Sequence, residues 1–347
     1  MGGGYVTLQQ VARHAGVSLA TASRVLNGST RQVGRKLADR VSASAKELGY
    51  LANPYAQTLA RNTSRLVGLV VHDIADPYFS CIAAGVTRVA DGEGLVVVLG
   101  TTGRVPQREV TLMSTLRAHR ARAVVLVGTR TTDAADLVPL SAEITALVEQ
   151  GGAVSCVSQE GLPAHTVVPD NRGGAADLAR RLIDQGHRRF AVLAGPAELR
   201  TAVDRLEGFR AALADAGIAL APHDVIRGGF TRDGGYASAR RLLAAGTEAS
   251  CLFAVNDVMA TGAMAAVRDA GLRVPADLAV AGFDDIPTLR DLTPGLTTVR
   301  LPLEWMGEQA ARLALGAEET GTKPVTVPVT GEVVERASTA LAGRSGG

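Results

Sequence analysis

Val6-Thr7-Leu8-Gln9-Gln10-Val11-Ala12, then Ala15-Gly16-Val17-Ser18 and the run Leu19 to Leu26, decide the fold of the amino-terminal end. Thr7 has the side chain of a helix N-cap. Gln10, three residues on, completes a capping box, and Val6 facing Val11 supplies the apolar staple. Gly16 tolerates the positive φ that a tight turn demands. Ser18 caps a second helix, Leu19 to Leu26, which Asn27-Gly28 end. A third helix is predicted from Arg35 to Leu48, with Leu37, Val41 and Ala45 or Leu48 on one face and Gly49 as its stop. Two short helices around a glycine turn, with a third in support, form a helix-turn-helix, the unit that lays its second helix in a DNA major groove.

Charge agrees with this reading. Residues 1–63 hold eight cations (Arg13, Arg24, Arg31, Arg35, Lys36, Arg40, Lys46 and Arg61) against Asp39 and Glu47, a net of +6. The whole chain is +2, so residues 64–347 carry −4. A basic head on an acidic body is expected where one end meets phosphate and the other does not.

At 347 residues the chain suits a small head and a two-lobed body. It is 46% apolar and 20% charged, and no apolar run approaches the ~18–20 residues that span a bilayer. No basic-then-apolar signal segment precedes Thr7, so a cytoplasmic location is expected. Cys81, Cys156 and Cys251 are few, odd in number and set in apolar stretches, which points to reduced thiols rather than a disulfide or zinc site.

After the third helix comes Asn53-Pro54-Tyr55-Ala56-Gln57-Thr58-Leu59-Ala60-Arg61. Asn53 can cap and Pro54 suits the first helical position, so about two turns can follow. Such a short helix is marginal alone. Leu59 beside a basic head suits a wedge inserted at a minor-groove base step; packing against the body or a second subunit is the alternative.

From Leu66 onward, short apolar runs alternate with helical stretches. Strands are predicted at Leu66–Val71, Leu95–Leu99, Ala123–Val127, Ala153–Val157, Phe190–Ala194, Cys251–Val255 and Leu278–Ala281. Helices are predicted at Phe79–Asp91, Arg108–His119, Ala135–Gln150, Gly173–Gln185, Arg205–Ala216, Arg232–Ala244, Asp257–Ala270 and Leu303–Leu315. Unalternating buried strands between helices imply parallel α/β sheets, and the length implies two lobes. In such sheets ligands bind beyond the carboxyl ends of the strands. The residues there include Asp73, Asp76, Tyr78, Phe79, Thr101, Thr102, Thr129, Arg130, Arg205, Asn256, Asp257, Asp284 and Asp285. Carboxylates, amides, guanidinium forks and aromatic faces in one cleft suit a small ligand rich in hydroxyls or amides, with a sugar as the first candidate.

Catalysis does not emerge. Asp284-Asp285 are adjacent residues whose side chains point apart, and His187 after Gly186 reads as a helix-ending structural pair. No Gly-x-Ser-x-Gly, P-loop or Cys/His metal spacing occurs. No catalytic residue, metal ligand or cofactor is expected.

Together these stretches resemble the lactose-repressor/galactose-repressor family of bacterial regulators, from Val6 to about Thr339. The resemblance rests on Val6–Val11, Ala15–Ser18, Ser23–Asn27, Leu48-Gly49-Tyr50, Asn53, Ala56 and Leu59. It continues through Asp73–Phe79, Asp170-Asn171, Gly186-His187, Arg205–Phe209, Asn256-Asp257 and Gly282–Asp285. It implies a small all-α helix-turn-helix head plus an α/β two-lobed, periplasmic-binding-protein-like body of parallel sheets flanked by helices. The head would be 6–52, a hinge 53–63 and the body 64–341, with lobes at 64–167 plus 297–327 and 168–296 plus 328–341.

The resemblance also implies a homodimer on a partly palindromic operator in double-stranded DNA. Leu19, Ala20 and Arg24 would face base edges, Thr7, Ser18, Ser23 and Asn27 the backbone, and Leu59 the central step, with Asn53 and Ala56 as further DNA-binding positions. In the cleft, the matching ligand positions are Asp76, Tyr78, Phe79, Arg205, Phe230, Asn256 and Asp284. Three departures stand out. Asp76 replaces a frequent Asn, Ser158 occupies the usual place of an acid, and Gly34 replaces a Ser cap after an apparent extra residue near Gln32. No heptad segment follows Ala342, so a C-terminal helix bundle is not expected. The expected activity is a ligand-responsive transcription factor, most simply a repressor. A regulator that needs a nucleobase or protein corepressor remains open, and a sugar carrier or sugar-metabolising enzyme are the rivals of another class.

Overall fold

The computed structural model describes residues 6–27, 33–50, 64–316 and 323–340. The hinge, with Asn53, Ala56 and Leu59, lies outside the described residues, as does the side chain of Asn27. The chain divides after Arg65 into two compact units.

In the head, α1 (Leu8–His14), α2 (Leu19–Asn27) and α3 (Arg35–Glu47) follow in order. The Thr7 hydroxyl accepts from Gln10 N, and Thr7 N donates to Gln10 Oε1 at 2.7 Å, which closes the capping box. Gly16 turns at φ +61, and Ser18 Oγ accepts from Thr21 N at 3.1 Å to start α2. Val11, Ala12, Ala15, Ala22, Val41 and Ala45 form the core, with Val6, Val17, Val25, Leu26, Leu48 and Tyr50 packed around it. Gly34 caps α3 without a side-chain hydrogen bond, so that helix start lacks the stabilisation a serine supplies.

The body holds two parallel sheets. The first has six strands in the order β11 (Thr326–Val329), β5 (His165–Pro169), β4 (Ala153–Val157), β3 (Ala123–Val127), β1 (Leu66–Val71), β2 (Val96–Thr101), each pair parallel. The second has four, β7 (Val225–Ile226), β6 (Phe190–Leu193), β8 (Cys251–Ala254), β9 (Ala279–Ala281), again parallel. Helices α4 (Pro77–Gly92), α5 (Pro106–Ala118) and α6 (Leu137–Glu149) flank the first sheet. The second carries α7 (Asn171–Asp184), α8 (Arg200–Asp215), α9 (Arg232–Ala244) and α10 (Asp257–Asp269); α11 (Leu303–Leu315) returns to pack on α4.

β10 (Thr298–Arg300) pairs antiparallel with β12 (Glu332–Val334), and Thr297 bridges Ala281 on the second sheet. β11 stays in the first sheet as far as Val329. The later passages between the two sheets thus run close to Thr298–Arg300 and to Val329–Glu332. The helix expected to begin at Arg205 begins at Arg200, because Leu199 N-caps it through backbone geometry alone. β2 also departs from the expected buried strand: it is the sheet edge, with Val96 60% exposed and Val98 and Leu99 also exposed.

Candidate functional site

On α2, Leu19, Ala20 and Arg24 are all exposed, and Ser23 is half-buried. Leu19 is 51% exposed and takes no part in the head's core, so its side chain is offered outward rather than folded in. Thr7 and Ser18 sit at the N-termini of α1 and α2, exposed, where backbone N–H groups and hydroxyls converge. Asn27 is the last residue of α2.

The structure brings Asp76, Tyr78, Phe79, Arg205, Phe230, Asn256 and Asp284 together on the walls of one cavity between the two sheets. Each arrives for a local reason. Asp76 N-caps α4, its Oδ1 accepting from Tyr78 N at 3.0 Å, and Pro77 holds the first helical position. The rings of Tyr78 and Phe79 pack edge to face at 5.1 Å. Asn256 caps α10 by accepting from Met259 N at 2.9 Å, which commits its carbonyl oxygen and leaves its amide nitrogen for a ligand.

Arg205 is the best-anchored side chain in the cleft. Its Nε donates to Asn171 Oδ1 at 2.8 Å, Nη1 to the Val255 carbonyl at 2.7 Å and Nη2 to Asp284 Oδ1 at 2.7 Å. The guanidinium lies 3.8 Å from the Phe283 ring centroid. Three of its five N–H groups are used, so two remain for hydroxyls. Burial pushes the Asp284 carboxyl up to about 6, against the pull of Arg205. Asp284 and Asp285 both have positive φ (120 and 55), which turns the two carboxylates apart. Asp285 accepts from Arg300 Nε and Arg336 Nη2, each at 2.7 Å. The pair is thus two separate ion-pair sites rather than a joint acid–base dyad.

Several cleft residues were not singled out by sequence. His72 follows β1, and its Nδ1 meets Thr102 Oγ1 at 2.8 Å and its Nε2 the Thr129 carbonyl at 3.2 Å. Burial, then Arg130 and Arg104, pulls its pKa down to about 3, so the ring is neutral. Gly128, at φ +148, makes room: a Cβ there would lie 2.3 Å from His72 Nε2. Gln159 Nε2 donates to Thr201 Oγ1 at 2.6 Å, and Thr201 N donates to Thr129 Oγ1 at 3.0 Å, which ties the first-sheet side to α8. Arg104, also at positive φ, reaches the same cavity with its guanidinium 5.7 Å from the Phe230 centroid.

Ser158 does not act as a free hydroxyl. Its Oγ donates to the Gly128 carbonyl at 2.6 Å and accepts from Arg130 Nε at 2.9 Å. Arg130 is buried, and its carboxylate comes from Glu109 on α5, at 2.9 and 3.0 Å. A buried guanidinium needs a counter-charge, and here Glu109 of α5 supplies it while Ser158, just after β4, contributes only a hydroxyl. His187 is structural: its Nε2 meets the Thr339 carbonyl at 3.0 Å.

A helix-turn-helix unit on a two-sheet body with a polar, aromatic-walled cleft defines a ligand-responsive DNA-binding regulator. Comparison with known proteins places it further. Residues 7–53 match the model of bacterial regulatory proteins of the lacI family, and residues 179–339 match a periplasmic binding protein-like domain. The HTH-type transcriptional regulator GalR of Escherichia coli (strain K12) is 35% identical over 321 residues, covering 92% of this chain and 91% of that protein. CelR of Thermobifida fusca, also an HTH-type transcriptional regulator, is 36% identical over 312 residues, covering 88% and 90%. Among solved structures, the Lac repressor dimer bound to operator and the anti-inducer ONPF superposes with TM-score 0.82 at 28% identity, covering 97% of this chain and 99% of that one. The chain belongs to the lacI family of bacterial regulatory proteins and is a DNA-binding transcriptional regulator. Among the described residues, no helix is long and apolar enough to cross a membrane.

Proposed function

We propose that the protein is a cytoplasmic repressor that binds a partly palindromic operator as a homodimer and changes operator affinity when a saccharide fills the cleft. It has no catalytic role and needs no cofactor. The observation that carries this reading is the cleft itself. Arg205–Asp284 and Asn256 offer donors and an acceptor to hydroxyls, while Phe230, Tyr78 and Phe79 offer rings to the apolar face of a sugar. Arg205 and Arg130 each have a carboxylate partner, which favours a neutral ligand. The relative CelR is known as a complex with cellobiose, at TM-score 0.70 and 33% identity. The exposed Val96, Val98 and Leu99 on the β2 edge, with the exposed Ile74, favour a second copy of the chain as the cover of that face.

Closure of the lobes on ligand would move the two hinge segments of a dimer and so the Leu59 positions. Coupling of this kind is reciprocal: a sugar that weakens operator binding must itself bind more weakly to the operator complex. Gel-shift titration of an operator fragment with cellobiose, glucose and galactose tests this. A shift unresponsive to every cleft-sized sugar refutes the regulatory reading.

Two substitutions test the DNA contacts. Arg24→Ala is expected to relax base preference by about 1–3 kcal/mol at one position per half-site, because it removes a bidentate grip on guanine. Affinity measured against a set of single-base operator variants reads this, and an unchanged preference profile counts against a base contact. Leu59→Ala is expected to weaken specific binding by roughly tenfold, or about 1.4 kcal/mol, while leaving non-specific binding nearly unchanged. Equal loss on both kinds of DNA counts against the wedge.

A further inference from the structure

The two lobes are joined directly along one rim of the cleft. Residues 129–132 run on from β3 of the first sheet, and residues 198–201 lead into α8, which flanks the second. Thr132 N donates to the Glu198 carbonyl at 2.8 Å, and Arg200 N to the Arg130 carbonyl at 2.9 Å. These bonds frame Thr131 and Leu199, which face each other as an antiparallel bridge. Side chains lengthen the seam. Thr201 N donates to Thr129 Oγ1 at 3.0 Å. Gln159 Oε1 accepts from Arg130 N at 3.0 Å, and its Nε2 donates to Thr201 Oγ1 at 2.6 Å. Every partner belongs to the chain itself.

Both edges of the seam are backed by buried ion pairs. Arg130 is fixed by Glu109, Ser158 Oγ and the Gly128 carbonyl, so the backbone that accepts from Arg200 is already in place. On the other edge Leu199 is buried, and α8 carries Arg205, tied to Asn171, Val255 and Asp284, little more than one turn further on. Edges held in this way lose little freedom when they meet, so their hydrogen bonds keep most of their net value. Such a seam lets the lobes tilt about it and resists their parting along it.

We propose that residues 129–132 and 198–201 form a clasp that stays fastened in both effector states, so that an effector tilts the lobes about this rim instead of opening it. The lever is α8: the clasp holds its first turn, and Arg205 stands at the ligand positions. The tilting half of this proposal rests on the reading of the cleft as an effector site; the clasp does not.

Thr131 and Leu199 supply the first test. Their neighbours exchange the hydrogen bonds, which makes them a non-hydrogen-bonded pair with Cα atoms about 4.5 Å apart, within reach of a disulfide. Neither lines the effector cavity. The full chain carrying both Thr131→Cys and Leu199→Cys is oxidised with diamide without sugar. Peptide mapping separates the new bridge from the native Cys81, Cys156 and Cys251. About 90% or more of the molecules are expected to cross-link. Cellobiose, glucose or galactose is then expected to release operator from oxidised and reduced protein at concentrations within about threefold of each other. No cross-link in a variant that melts cooperatively overturns the clasp. A cross-linked protein that binds operator and sugar but no longer releases overturns the tilting.

The second test compares Arg200→Pro with Arg200→Ala. Arg200 opens α8, where proline fits, and Leu199 at φ −95 and ψ 117 has the extended backbone that precedes proline. Proline deletes the N–H that reaches Arg130, whereas alanine deletes only the side chain and its Asp204 pair. Thr132 is exposed, so its bond to Glu198 is what shields its amide from exchange. That amide is expected to exchange about three- to tenfold faster in Arg200→Pro than in Arg200→Ala, the worth of one hydrogen bond in a cooperative seam. Equal exchange means that the bonds open independently, and overturns the clasp. If no sugar releases operator from the reduced protein either, the saccharide reading and the tilting fail together, while cross-linking and exchange still judge the clasp.

Discussion

Arg205→Ala is expected to cost about 3–5 kcal/mol of stability and to abolish any ligand response in the protein that still folds. The side chain is 2% exposed and ties three separate segments: Asn171 at the start of α7, the Val255 carbonyl after β8, and Asp284 after β9. Truncation strands a buried amide oxygen, carbonyl and carboxylate and takes the cation off the Phe283 ring. The carboxylate limits the loss. Its pKa is already raised to about 6, and without Arg205 it rises further, so Asp284 takes up a proton instead of remaining an unpaired buried charge. Arg205→Lys keeps the charge but not the fork, and an intermediate loss is expected. Urea denaturation followed by the fluorescence of Trp305, the single tryptophan, which lies on α11 of the body, reads both variants. A loss below about 1 kcal/mol in Arg205→Ala means the guanidinium is not the brace described here.

What made the head legible was short range. Thr7 and Gln10 are three residues apart, and Gly16 acts within its own turn. The central strands β1, β3 and β4 were equally plain, because apolar runs buried on both faces carry their own signature. β2 shows the limit: Val-Val-Val-Leu reads the same at an edge as in the middle, and only the pairing of strands tells which. β5, β7, β10, β11 and β12 were missed because they are short or polar, as in His165-Thr166-Val167-Val168-Pro169, and lean on neighbours far away in sequence.

The cleft follows the same division. All seven ligand positions inferred from strand ends and from the resemblance share one cavity, because strand ends in a parallel sheet share one side. Nothing in the stretch Pro106-Gln107-Arg108-Glu109-Val110 marks Glu109 for burial. It is buried because Arg130, 21 residues later, lies beneath it. Arg104 gave no signal either: a lone arginine in a loop acquires meaning only from Phe230 and Asp76, which come from elsewhere in the chain. Ser158 was seen as a departure, but its consequence depends on a carboxylate that α5 delivers.

Asp257 lies beneath this cleft, at the start of α10, and gives the body a pH dependence that one substitution isolates. Its carboxyl is 0% exposed and pushed up to about 7, first by burial and then by Asp284. Thr298 Oγ1 at 2.7 Å and Ile286 N at 3.0 Å donate to it and pull the other way, too weakly to restore the ordinary value, while Asp285 adds to the rise. In the unfolded chain the group ionises near 3.8. Between those two values the folded state holds a proton that the unfolded state has released. The stability this contributes is fully present below about pH 4, falls as pH rises and is lost above about pH 7. Asp284 acts in the same direction up to about 6. His72 acts in the opposite one, since its pKa of about 3 favours the folded state as pH climbs through 6.5. The slope of the intact protein is therefore a mixture, and the informative quantity is its difference from Asp257→Asn. Asparagine accepts from Ile286 N and donates to a rotated Thr298 hydroxyl, so both contacts survive without a charge. Relative to the unmodified protein, Asp257→Asn is expected to gain roughly 2–3 kcal/mol between pH 5 and pH 8, measured by urea denaturation at steps across that range. A difference that stays flat with pH means that Asp257 is ionised throughout, its charge carried by Thr298 and the Ile286 amide.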